Sequence, residues 1–263
     1  MGIVNVTPDS FADEKPVIDT AQAIDVALRL EADGADLIDV GGESTRPGAE
    51  TLPKDAELAR VLPLIRGIAG RLRIPLSIDT YKAEVARAAL DAGASIVNDV
   101  SGLRRDPALA QVAAERGAAI VLMHSRGTPK TMANEAVYED VVTDIVAELA
   151  SSIRVAEAAN VPADRIIVDP GVGFAKRPAH SYGVLPRLAE IAAALGRPVL
   201  VGPSRKSFMQ AALNDRPAAE RDWGTAAAVT AAVLAGAHIV RVHAVAEMVQ
   251  VVRVAEEIRR HAT

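Results

Sequence analysis

Apolar and polar positions along the chain repeat one unit from end to end. An Ala-rich amphipathic stretch is followed by Gly-Ala or a proline, then by a short β-branched run that closes on a polar residue. Residues 20–33 lead through Gly34-Ala35 to Asp36-Leu37-Ile38-Asp39-Val40, and 83–91 lead through Gly93-Ala94 to Ser95-Ile96-Val97-Asn98-Asp99. Residues 107–115 lead through Gly117-Ala118 to a run ending at Met123, and 223–234 lead through Gly236-Ala237 to a run ending at His243. Glycine directly after a helical stretch is the expected C-cap. Continuous Val/Ile runs mark parallel strands buried on both faces. Such runs begin near Ile3, Leu37, Leu76, Ile96, Ile120, Ile166, Val199 and Ile239. Eight strands alternating with helices, without a linker or a low-complexity segment, predict an α/β fold. The expected architecture is a single-domain (β/α)8 TIM barrel over residues 1–263. An open doubly wound sheet is the alternative, but it usually carries a Gly-rich phosphate turn after its first strand, and none stands here.

Composition narrows the chemistry. A length of 263 residues suits one barrel. Half the residues are hydrophobic and 3% aromatic, so Ala, Val, Leu and Ile must build the core. A net charge of −5 argues against a surface that tracks nucleic-acid phosphates, so any basic site must be local. The absence of cysteine excludes disulfides, zinc–thiolate sites and a thiol nucleophile. No apolar run is long enough to span a membrane, and Met1 leads straight into the first strand rather than a signal peptide. A cytoplasmic setting is expected.

In a barrel of this class the active site lies at the C-terminal ends of the strands. Here those ends include Asn5-Val6-Thr7, Asp39-Val40-Gly41-Gly42, Asp79-Thr80, Asn98-Asp99, Met123-His124, Asp169-Pro170-Gly171, Gly202-Pro203-Ser204 and Arg241-Val242-His243. Asp, Asn and Gly at one strand end are ordinary turn formers and helix caps. Polar closure of nearly every strand on one rim favours a binding site instead. Asp79, Asn98 and Asp169 should project into the barrel mouth. With Lys206 nearby, they can accept from and donate to the edge of a flat, nitrogen-rich heterocycle. The alternative is a hydrogen-bonded network that closes the barrel top.

Ser204-Arg205-Lys206-Ser207-Phe208 reads as the start of a short helix after strand seven, the usual anion site of such barrels. Arg241 and His243, two residues apart on one strand, point the same way and form a cationic pair beside Asn5, a second anion site. His124, alone at a strand end, reads as structural. The segments 42–48 and 7–11 are long polar loops and candidate lids. Phe11, Phe174 and Phe208 all fall in motif loops, which keeps phenylalanine at the rim as walls for an aryl group. Ordinary loop anchoring is the competing explanation.

Together these segments resemble dihydropteroate synthases over essentially the whole chain. Gly2-Ile3-Val4-Asn5-Val6-Thr7-Pro8-Asp9-Ser10-Phe11 is similar to the family's opening signature, and Asp39-Val40-Gly41-Gly42-Glu43-Ser44-Thr45-Arg46-Pro47-Gly48 to its second. The later strand ends and Ser204-Arg205-Lys206-Ser207 complete the set in order. The chain departs from the family at Ala244, where Asp is frequent, and at Ala175, where Gly is usual. Its start so close to the first strand implies that a short N-terminal hairpin is missing.

The resemblance implies that Asp79, Asn98, Asp169 and Lys206 hold a pterin, and that Thr45, Arg241 and His243 contact its pyrophosphate. It places Mg2+ on Asn5 and puts Arg46 in a loop that orders over the site. A p-aminobenzoate pocket would comprise Phe11, Pro47, Phe174, Lys206 and Ser207. It also implies a homodimer. The residues alone put the phosphate at the helix after strand seven, whereas the resemblance puts the aminobenzoate carboxylate there. The implied reaction is displacement of pyrophosphate from the pterin methylene by an aryl amine, with Asp79, Asp169, Lys206, Arg241 and His243 as the catalytic set. A non-catalytic pterin-binding paralogue and a corrinoid-type methyltransferase are the competing readings. Thr45-Arg46-Pro47 and Ser204–Ser207 favour the synthase.

Overall fold

The structure, a computed structural model, describes residues 1–6, 19–46 and 48–262. The candidates Phe11 and Pro47 therefore lie outside the described residues. Eight strands alternate with helices as the sequence pattern predicts: β1 (Gly2–Asn5), β2 (Ile38–Gly41), β3 (Leu76–Asp79), β4 (Ile96–Asp99), β5 (Ala119–Met123), β6 (Ile166–Asp169), β7 (Leu200–Val201) and β8 (Ile239–Val240). The helices are α1 (Thr20–Ala32), α2 (Lys54–Ile68), α3 (Ala83–Asp91), α4 (Ala108–Glu115), α5 (Val141–Ala158), α6 (Pro178–Val184), α7 (Leu188–Leu195), α8 (Asp222–Leu234) and α9 (Val245–His261). No helix among the described residues is long and apolar enough to cross a membrane.

Strands β1 to β6 pair in parallel in chain order, and β7 pairs with β8. Bridges at Val168–Val199 and Gly2–Val242 join the two sheets at both seams. At the second seam Ile3 N–H donates to Val242 O at 3.1 Å and Val242 N–H donates to Met1 O at 2.9 Å. The ring is closed, a TIM barrel rather than an open sheet.

Strand alternation then sorts side chains into two environments. Outward residues such as Ile38, Ile78, Ile120 and Val168 pack beneath the helices in one continuous core. Inward residues Met1, Ile96, Val121 and Leu200 form a separate apolar plug, supported by Leu37, Ile167 and Ile239. Each fully buried Ile or Leu contributes about 1.5–3 kcal/mol. The helices reach the strands closely because their inner faces are small: α3 buries Ala83, Val85, Ala86 and Ala89.

The Gly-Ala turns behave as their sequence implies. Gly34, Gly93, Gly117 and Gly236 all have positive φ and turn the chain from helix into strand. At Gly93 the constraint is double, because φ is +117° and a Cβ would stand 2.7 Å from that of Ala69. Phe208 departs from expectation. It is 3% exposed, part of the main core and edge-on to Tyr182 at 5.1 Å, so phenylalanine is not confined to the rim. An apolar ring on a tight turn is drawn inward where a core wall lies beneath it.

Gly93→Ala is expected to lower stability by about 1–3 kcal/mol, from backbone strain plus the clash with Ala69. Urea unfolding measures it. A midpoint equal to that of the parent chain would mean that the α3–β4 turn relaxes freely.

Candidate active site

Inward positions at the strand ends hold the chemistry. Two residues above Ile96, Val121 and Ile167 of the apolar plug, the alternation presents Asn98, Met123 and Asp169 on the barrel's inner wall. Asn5 and Asp79 end their strands on the same face. They line one cavity of about 500 Å3. Thr45, Arg46, Phe174, Lys206, Ser207, Arg241 and His243 line it too, so all the described sequence candidates come together. That volume suits a small organic ligand.

The floor is a charge cluster that sequence reasoning only half anticipated. Arg241 Nε donates to Asp39 Oδ2 at 2.6 Å and Nη2 to Asp79 Oδ2 at 3.0 Å. Asn98 Nδ2 donates to the same Asp39 oxygen at 3.0 Å. Asp39 is fully buried and was not among the candidates. The signal for it was its position two residues before Gly41, which places it on the inward face one layer below. Asn98 gives one amide hydrogen to Asp39, which turns its carbonyl away from that carboxylate and toward a ligand. Burial, and the like charge of Asp39, push the Asp79 carboxyl up to about 8 against the pull of Arg241. Burial also raises Asp169, whose Oδ1 accepts from Gly171 N–H at 2.7 Å.

One wall is built on β6 and the turn after β7. Lys206 Nζ donates to Val172 O at 2.6 Å and lies 4.4 Å above the centre of the Phe174 ring. Burial brings its ammonium down to about 8. Gly173 admits that side chain, since a Cβ there would meet Lys206 Cδ at 2.9 Å. The expected short helix after strand seven is a 3-10 turn of three residues, Ser207–Met209. So short a turn sums few peptide dipoles, which weakens the case for an anion site made by the backbone. Arg205 does not face the site as a free cation. Its guanidinium forks onto both carboxylate oxygens of Asp222, each at 2.8 Å.

The opposite wall carries His243. Its backbone N–H donates to Ser204 Oγ at 3.2 Å, and that hydroxyl lies 2.9 Å from His243 Nδ1. That contact engages Nδ1, so Nε2 is the ring nitrogen left for a ligand. Burial and the neighbouring Arg241 push the imidazole down to about 3, so it is neutral at ordinary pH. The expected cationic pair is thus one cation, already pinned by two carboxylates, and one neutral imidazole. His124 is a structural residue as expected. It is buried, with Nδ1 2.8 Å from Lys176 Nζ.

Comparison with known proteins agrees with this geometry. The family model described as "Pterin binding enzyme" matches residues 1–243. The chain is 45% identical to the dihydropteroate synthase of Synechocystis sp. over 260 residues, which is 99% of this chain and 90% of that protein. It belongs to the dihydropteroate synthase family of pterin-binding enzymes. Among solved structures it is similar to the Yersinia pestis dihydropteroate synthase in complex with a sulfonamide drug. That match has a TM-score of 0.94 and 40% identity, covering 98% of this chain and 93% of the other. A dihydropteroate synthase from Xanthomonas albilineans with 4-aminobenzoic acid matches with a TM-score of 0.90 and 40% identity, over 98% and 92% of the two chains. Full-length likeness to dihydropteroate synthases sets aside the corrinoid methyltransferase reading.

Asp39→Asn is expected to destabilise the chain by about 1–3 kcal/mol, because buried Arg241 would lose one of the two carboxylate charges that pair with it. The urea midpoint reads the effect. No change would mean that Asp79 alone suffices to hold Arg241.

Proposed function

We propose that the chain is a dihydropteroate synthase working as one barrel over residues 1–263. It would join 6-hydroxymethyl-7,8-dihydropterin pyrophosphate to p-aminobenzoate, giving 7,8-dihydropteroate and pyrophosphate in folate biosynthesis. The observation that carries this reading is the placement of Asp79, Asp169 and the Asn98 carbonyl around one cavity with Lys206. Three acceptors and a cation complement the N–H edge and carbonyl of a pterin. Phe174 and Ser207 would then form the p-aminobenzoate side, where Lys206 would also reach the incoming aryl group. The resemblance adds Phe11 and Pro47, which lie outside the described residues.

In the reaction the aniline nitrogen attacks the pterin methylene, the carbon–oxygen bond to pyrophosphate breaks, and the ammonium formed loses its proton. Asp79 and Asp169 oppose positive charge that spreads over the pterin as the bond lengthens. Arg241 and the Nε2–H of His243, with Thr45, would meet the phosphate oxygens as negative charge grows on them. Arg46, on the loop above, would cover the site and exclude water.

A magnesium ion suits this site. Asn5 Oδ1 lies 3.2 Å from the point that a Cβ on Gly41 would fill, so glycine leaves room beside one hard oxygen donor. Magnesium held there by Asn5 and the substrate phosphates would supply charge neutralisation at the leaving group. Family likeness also supports a homodimer and a cytoplasmic setting.

The deciding assay is pyrophosphate release from purified protein. Release should require both the pterin pyrophosphate and p-aminobenzoate. Release with the pterin alone, or none with both, would overturn the reading. Sulfonamides should compete with p-aminobenzoate and not with the pterin, which inhibition patterns distinguish.

Asp169→Asn should weaken a pterin analogue by about tenfold or more in calorimetric titration, since a charged acceptor becomes an amide with a misplaced donor. Unchanged affinity would reduce Asp169 to a turn residue that caps Gly171.

A further inference from the structure

The second signature contains Glu43, which the reaction above does not use. Its side chain is 7% exposed, borders the cavity at the root of the loop, and reaches the turn after β3. There it accepts from Lys82 Nζ and, through Oε1, from Tyr81 O–H at 2.8 Å. Lys82 also donates to Glu57 of α2, a carboxylate with 1% exposure. Burial opposes the charge on Lys82, yet the two carboxylates hold its ammonium above the ordinary range. Arg105 stacks on the other partner, 4.4 Å from the centre of the Tyr81 ring. The backbone is fixed at the same place. Arg60 Nη1 donates to Gly42 O at 3.0 Å, and a Cβ on Gly42 would stand 2.7 Å from Val61 Cγ1.

This lock sits at the root of the loop whose next residues, Thr45 and Arg46, line the cavity. At the far end the loop is held more lightly. Gly48 N–H donates to Pro129 O at 2.9 Å, and Lys130 pairs with Glu50 on the exposed surface at 2.6 Å. An exposed pair of that kind contributes little. The loop is thus a span with a buried ionic root and a weak tip. The root shares its turn with Asp79, three residues before Lys82.

We propose that Glu43 and Lys82 are positioning residues, a buried clamp that sets where Thr45, on the leaving-group side, and Arg46 stand over the cavity. The clamp touches no substrate. Its removal leaves the pterin acceptors Asp79, Asn98 and Asp169 in place and frees the covering loop. The kinetic part rests on the reaction proposed above, whereas the loop's own behaviour can be read without it.

The test uses Glu43→Ala, Glu43→Gln and Lys82→Met in the full chain. Glu43→Ala should raise the KM for p-aminobenzoate or lower kcat by about tenfold or more, the scale of small misplacements in a site. Affinity for a pterin analogue should stay within about twofold, since the pterin acceptors are untouched. Glu43→Gln, which keeps one acceptor for Lys82 and turns an amide N–H toward the Tyr81 hydroxyl oxygen, should recover part of the loss. Lys82→Met should show the same split, and combining it with Glu43→Ala should add little. Hydrogen exchange over residues 43–50 should quicken in Glu43→Ala whether or not the parent chain turns over. Parent-like kinetics and exchange in Glu43→Ala would overturn the clamp, as would pterin affinity falling in step with the aminobenzoate KM. Failure of the parent chain to release pyrophosphate would count against the reaction and not against the loop, whose exchange decides separately.

Discussion

The site depends on one arrangement of charge: a single guanidinium, Arg241, shared by two buried carboxylates that lie 202 and 162 residues away in sequence. None of the three could be buried there alone, because an unpaired charge in the barrel interior costs several kcal/mol. Only barrel closure supplies the partners, by setting β8 against β1. Closure and the ionic floor therefore stabilise each other. Removing Arg241 would leave two buried carboxylates without their cation, which makes the floor as much a part of the fold as the apolar plug beneath it.

That floor also sets the electrostatics of everything above it. Burial that raises Asp79 and Asp169 lowers Lys206. Asp79 and Lys206 thus face a ligand with their charges only partly expressed. A pterin that supplies N–H donors to the carboxylates would favour their charged forms, and an anionic partner would do the same for Lys206. Much of the complementarity is completed by the ligands themselves, while His243 stays neutral over ordinary pH.

The fold was readable because the chain states its period openly. Val/Ile runs of strand length and Gly-Ala turns after Ala-rich helices fixed all eight strand positions to within a residue or two. Candidate residues were readable for a related reason: strand ends are defined by the same runs, and the barrel class says which ends matter. What sequence spacing could not supply was partnership. Asp39 looks like any polar residue in a strand until the register sets it beneath Asn98 and beside Arg241. The neutral state of His243 depended on its burial beside Arg241. The turn after Ser204 resembled a helix start because Ser and Lys are compatible with one, but Arg205 adopts a positive φ there and turns to Asp222. Phe208 was misplaced because loop membership says nothing about which wall a loop leans on.

Strand alternation leaves this chain with two sets of residues that answer to different demands. Outward positions such as Ile38, Ile78 and Ile120 are fixed by packing against the helices, while the inward strand ends are fixed by what they bind. Neighbouring residues on one strand can therefore change under separate selection. A lineage could rewrite the rim for another heterocycle and keep its outer shell nearly intact, provided that the charge carried by Asp39, Asp79 and Arg241 stays balanced. Divergence in barrels of this construction should accordingly begin at alternate positions, with stability lagging well behind specificity as the sequence drifts.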